Sequence, residues 1–201
     1  MHISDGVLPT NVAVVSYIVT FGLAAWSTKK VKPEELPKIA VVTSSFFVAS
    51  LFHVPLGPTS VHLLMGGLVG ALLGPAAFIS ITLGIFLQSI LFQFGGLTAV
   101  GANSLMMGVP ALICAGLFQL IRGRTLLSNT IAGAVVGVLG TTISAIFLAL
   151  LLTTAGEDFV GVAKLALTAH VPVIIIEGFV SAFVISFLFR VRPELLGGFR
   201  S

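Results

Sequence analysis

Residues 61–94 read VHLLMGGLVGALLGPAAFISITLGIFLQSILFQF, and whether this stretch crosses a membrane once or twice decides the fold. It is apolar almost throughout and is interrupted at Gly74–Pro75, a pair that breaks helical continuity because proline lacks a backbone N–H. Divided there, Pro75–Phe94 approaches the ~20 residues that span a bilayer, while Val61–Leu73 is short and reads as a tilted helix or a re-entrant hairpin. The remaining apolar runs are Val7–Trp26, Ile39–Leu56, Ser104–Ile121, Thr130–Thr154 and Val171–Phe189, which makes seven. Charge tests that count. With seven spans, Lys29, Lys30, Lys32 and Lys38 after the first, Arg122 and Arg124 after the fifth, and Arg190, Arg192 and Arg200 after the seventh all share one side. Those are nine of the ten basic residues; the exception, Lys164, lies in a loop with Glu157 and Asp158. Merging the two halves of 61–94 leaves six spans and splits the basic loops between sides. Because basic loops stay cytoplasmic, the N-terminus is expected outside and the C-terminus inside the cell.

Composition agrees. Only 8% of the 201 residues are charged, 57% are apolar, and the mean hydropathy is +1.15. A soluble domain carries about 25% charged residues, so this chain cannot cover a water-facing surface. The expectation is an all-α integral membrane protein forming a single transmembrane domain over residues 1–201, located in the cell inner (plasma) membrane. A net charge of +3 resting on loop residues gives no reason to expect nucleic acid as a partner. The single cysteine, Cys114, lies in an apolar run and excludes an intrachain disulfide or a cysteine metal cluster. No basic segment precedes the first apolar run, so a cleavable signal is not expected. The sequence contains no GxxxxGK[ST], no HExxH and no GxSxG, which argues against an ATPase, a zinc protease or a serine hydrolase. Small residues recur four apart at Gly66, Gly70 and Gly74, at Gly133, Gly137 and Thr141, and at Ala40 and Ser44. That spacing lets helix backbones approach closely in lipid.

Chemistry concentrates at the predicted outer face, where His2, His53, His62 and His170 all fall. The opening loop, MHISDGVLPT over residues 1–10, places an imidazole beside the chain's first amine. The amine of Met1, the amide nitrogen of His2 and the His2 ring can close a five- and a six-membered chelate and put three nitrogens in one plane. A fourth nitrogen completes a square, which suits Ni(II) or Cu(II), suits tetrahedral zinc poorly and leaves Co(II) possible. His62 is the preferred fourth ligand and His53 the next. Pro55, Gly57 and Pro58 force a non-helical turn between these two histidines, and irregular backbone at membrane depth is tolerated where it lines a cavity. A second glycine-rich outer turn, QFGGLTAVGAN, ends at Asn103 and could pack over the N-terminal loop. Glu177 is the one carboxylate inside a span. A charge there is costly and marks a functional position by default; its expected role is to orient a histidine or a neighbouring helix. His53, Asn103, His170 and Glu177 are thus candidate supporting residues.

MHISDGVLP, GPTSVHLL and GGLTAVGAN together resemble the CbiM/NikM family, and the resemblance runs from Met1 through the last span. It implies a substrate-binding S component of an energy-coupling factor transporter for cobalt or nickel ions. Such a subunit has no ATPase and no cofactor of its own. It works with a transmembrane coupling subunit, cytosolic ATPase subunits and a small accessory membrane subunit. The family's metal ligands, carried onto this chain, are Met1, His2 and His62. Ser4-Asp5-Gly6 and the turn ending in His62 look nearer the nickel-type pattern, without deciding between the two metals. The alternative reading is a stand-alone secondary transporter of transition-metal ions, which needs ionisable groups along a path through the bilayer; only Glu177 qualifies.

Overall fold

The computed structural model describes residues 2–51, 53–56 and 59–196, with side chains omitted for 53–56 and 59–61. The sequence-predicted ligand Met1 and the turn residues Gly57 and Pro58 lie outside the described residues. Seven α-helices are present among them: α1 (Thr10–Thr28), α2 (Leu36–Ala49), α3 (Gly66–Leu73), α4 (Ala77–Phe92), α5 (Val100–Ile121), α6 (Leu126–Thr153) and α7 (Phe159–Val191). Short 3-10 turns cover Pro33–Glu35, Gly74–Ala76, Leu97–Ala99 and Pro193–Leu196. The all-helical expectation needs one correction. Between α2 and α3 the chain forms an antiparallel hairpin, β1 (His53–Leu56) and β2 (Thr59–His62), in which His53 pairs with His62.

Among the described residues, five stretches are long and apolar enough to cross a membrane: Thr10–Thr28, Gly66–Phe92, Leu97–Ile121, Leu126–Thr153 and Phe159–Val191. The outer surface of the bundle is apolar, and its interior holds polar side chains among the core hydrophobics, the arrangement of a protein in lipid. Phe21, Leu120, Phe179 and Phe183 are more than two-thirds exposed, whereas Ser27, Gln88, Asn103, His170 and Glu177 are fully buried.

Gly66–Phe92 is not one straight rod. Gly66 packs on the Met107 carbonyl and Gly70 on that of Ala111, so α3 runs parallel to α5. Helix α4 runs the other way, with Phe78 against Gly108 and with Gln88 level with Asn103, both reaching the N-terminal segment. The reversal occurs at Gly74, whose φ of +56° is a conformation glycine adopts without steric cost. The corner is pinned by Ser27, which donates to the Pro75 carbonyl (2.7 Å) and accepts from the Ile79 amide (3.1 Å). Helices α6 and α7 pack antiparallel, with Gly133 against Ser181 and Ile185 and Gly137 against the Glu177 carbonyl. The glycine ladders therefore serve internal packing, whereas Ala40 and Ser44 face outward on α2.

The basic segments meet at one end of the bundle. Lys38 donates to the Leu195 carbonyl (2.6 Å) and Arg122 to that of Leu196. Other boundaries shift. Helix α2 ends at Ala49 rather than Leu56, because the chain turns into the hairpin. Helix α7 begins at Phe159, not Val171. The Lys164–His170 stretch is rich in alanine and leucine, good helix formers despite its charge, and Glu157 and Asp158 suit a helix N-terminus. His170 therefore sits about three turns inside a helix rather than at the rim of a span.

Candidate metal centre

The N-terminal segment threads into the bundle although it begins the chain. His2 and Ile3 are buried, and the Asn103 carboxamide holds the Ile3 backbone on both sides. Ile3 N–H donates to Asn103 Oδ1 (2.8 Å) and Asn103 Nδ2 donates to Ile3 O (3.1 Å). Farther along, Asp5 Oδ1 accepts from the Thr98 amide (2.8 Å) and hydroxyl (2.6 Å), and Tyr17 donates to the Leu97 carbonyl. The turn that receives the segment carries Gly95 and Gly96 at φ +77° and +74°. A methyl on Gly95 would lie 2.6 Å from Asn103 Nδ2 and 3.1 Å from His2 Cβ, and one on Gly96 would overlap the Asp5 carboxylate. The glycines are thus required both by backbone conformation and by the segment lying on them.

A chain of hydrogen bonds sets the orientation of the His2 ring. Ser50 Oγ donates to the Phe47 carbonyl (2.8 Å), so it must accept from Gln88 Nε2. The Gln88 carbonyl oxygen is then turned to His2, whose Nε2–H donates to it (2.8 Å). A neutral imidazole has one donor and one acceptor nitrogen, so Nδ1 of His2 carries the lone pair. His62 is fixed in the same manner: its Nδ1–H donates to the Leu63 carbonyl (2.7 Å), leaving the lone pair on Nε2. These two acceptor nitrogens lie 3.3 Å apart, with ring centroids separated by 4.9 Å. Two facing lone pairs repel unless a cation stands between them.

The other candidates occupy different places. Glu177, fully buried, accepts from the Leu64 and Met65 amides through Oε1, at 2.8 Å for Met65. His170 Nδ1 donates to the Ala166 carbonyl of its own helix (2.6 Å), and its Nε2 has no partner among the described residues. His53 is aligned with His62 by the hairpin backbone. Gln88 and Ser50 were not predicted. Gln88 is a carboxamide in the middle of an otherwise apolar run, FLQSILF, and that isolation was the available signal. Among the described residues no three His, Cys, Asp or Glu side chains converge on one point.

The Asn103 clamp makes a prediction. Asn103→Leu keeps the volume but strips the partners from the buried Ile3 N–H and C=O, at a cost of about 1–3 kcal/mol for each unsatisfied group. Amide exchange at Ile3 should accelerate at least ~10-fold while the helices stay protected; unchanged exchange would refute the clamp.

Residues 2–195 match the family model described as the cobalt uptake substrate-specific transmembrane region, CbiM. The chain belongs to the CbiM family. A relative from Haemophilus influenzae, named as a metal transport protein, is 34% identical over 98% of this chain and 97% of its own length. A fused nickel transport protein NikMN by name, from Archaeoglobus fulgidus, is 28% identical over 98% of this chain and 68% of its own. Among solved structures, the crystal structure of a transition metal transporter superposes with a TM-score of 0.77 at 26% identity, covering 95% of this CbiM-family chain and 93% of the other. The family is thus one of cobalt uptake by its description, and the fold is shared with a transition metal transporter.

Proposed function

We propose that this protein is the metal-capturing S subunit of an ATP-driven energy-coupling factor importer for divalent nickel or cobalt. It spans the inner (plasma) membrane seven times, with its N-terminus outside and its C-terminus in the cytoplasm. The observation that carries the reading is the pair of lone-pair nitrogens, His2 Nδ1 and His62 Nε2, 3.3 Å apart. Nitrogen ligands lie about 2 Å from a transition metal, so two neighbouring corners of a square are roughly 2.8 Å apart, and a small closure brings the pair onto one ion. In this reading the other two corners are backbone donors, the Met1 amine and the His2 amide. A square of four nitrogens favours Ni(II). Without an ATP-binding motif, hydrolysis falls to cytosolic partners and force to a transmembrane coupling subunit. The basic end around Lys38, Arg122 and Leu195 is the side facing them, with room for a small accessory membrane subunit.

A Ni(II) titration followed by absorption spectroscopy tests this. The native protein should bind one nickel with a yellow square-planar band. A form carrying one glycine before Met1, which moves the amine out of the chelate, should lose that band and most of its affinity. Equal binding by both forms, or by neither, would overturn the proposal.

A further inference from the structure

We propose that Glu177 is the carboxylate end of a relay that sets the tautomer and donor strength of His62 through a single peptide group. The inference rests on His62 being a metal ligand, as proposed above. Histidines that bind metals usually give their second ring N–H to a carboxylate or a carbonyl, which fixes the tautomer and strengthens the ligating nitrogen. Here both partners are used in series. His62 Nδ1–H donates to the Leu63 carbonyl (2.7 Å), and the N–H of the same amide, that of Leu64, donates to Glu177 Oε1. Drawing on that N–H makes the carbonyl a stronger acceptor, because hydrogen bonds in chains polarise one another in a low-dielectric interior.

Glu177 reaches this peptide from α7, 113 positions away in sequence from Leu64. The same oxygen takes the Met65 amide (2.8 Å). Met65 has φ +50°, an uncommon left-handed conformation for a side-chain-bearing residue, and it turns the chain from β2 into α3. Glu177 is fully buried and makes no ion pair among the described residues. A carboxylate kept at that cost at the back of one ligand is a positioning residue, more than a cap on the first turn of α3.

The test uses the full chain labelled with nitrogen-15 in the histidine rings. In the metal-free wild type, His62 should carry its proton on Nδ1. In Glu177→Leu that tautomer should no longer be fixed, and nickel affinity should fall 10- to 100-fold. Glu177→Gln retains an acceptor oxygen and should restore most of both. A cap without a relay predicts lower thermal stability in Glu177→Leu with the tautomer unchanged, which overturns the inference. So does a wild-type His62 protonated on Nε2, a measurement that needs no variant to fold. If the wild type binds no nickel, the metal reading fails by itself, and the tautomers still decide the relay.

Discussion

His62→Ala is expected to abolish nickel binding and to leave the bundle folded. The loss should be at least ~1,000-fold, because supporting residues alone are worth about 10- to 100-fold and this change removes a ligand. The fold should survive because, among the described residues, the His62 ring hydrogen-bonds to its neighbouring carbonyl, and α3 is held independently by Gly66 and Gly70 against α5. His2→Ala should be nearly as damaging, since it removes the ring that closes the six-membered chelate, but the remaining backbone nitrogens should retain a trace of affinity. Both imidazoles must be unprotonated to bind, so wild-type affinity falls as pH is lowered. Isothermal titration in detergent measures all three effects. A His62→Ala protein that still binds nickel within tenfold of wild type would move the site elsewhere.

Gly67→Ala should fail at an earlier stage, in assembly of the helices. A Cβ on Gly67 would overlap the Val136 carbonyl, and Gly67 N already lies 2.7 Å from where a Cβ of Gly140 would stand. Backbone meets backbone here, so no rotamer change relieves the clash and α3 must move away from α6. Overpacking of this kind costs about 3 kcal/mol and shifts the hairpin that carries His62. The variant should show a lower aggregation temperature and weakened nickel binding together. Gly22→Ala and Gly116→Ala are the controls: nothing lies within 4 Å of either added Cβ, and alanine is the better helix former by about 1 kcal/mol. If all three behave alike, close packing of α3 on α6 is not what supports the site.

Several features were legible in the sequence because they depend on neighbours along the chain. The break at Gly74–Pro75 is local chemistry, and the structure reverses the chain there. The basic clusters were read as sharing one side, and Lys38 and Arg122 do converge on the 193–196 turn. His2, His62 and Asn103 stand out by residue type and glycine-rich context; the structure sets His62 beside His2 and Asn103 against the Ile3 backbone. Hydropathy alone misplaces two boundaries. Apolar Val54 and Leu56 carry the expected second span to Leu56, although Pro55 suits the hairpin that forms there. Val171 is expected to open the seventh span, whereas the helix begins at Phe159. His170 lies within that helix, and its Nδ1 donates to the Ala166 carbonyl.

What the sequence by itself determined is the class of the molecule: too few charges for water and apolar runs of membrane length. These are properties of composition and short-range order, and any fold of this chain must respect them. What only the tertiary structure decided is which nitrogens face each other and why. The tautomer of His2 follows from Ser50 and Gln88, and that of His62 leads through one peptide to Glu177. These partners lie at the end of α2 and on α4 and α7, and no periodicity links them. They are brought together by helix packing, in which Gly137 meets the Glu177 carbonyl and Gly84 the Phe46 ring, and hydrogen-bond direction, which sets where a lone pair points, exists only once those helices have packed.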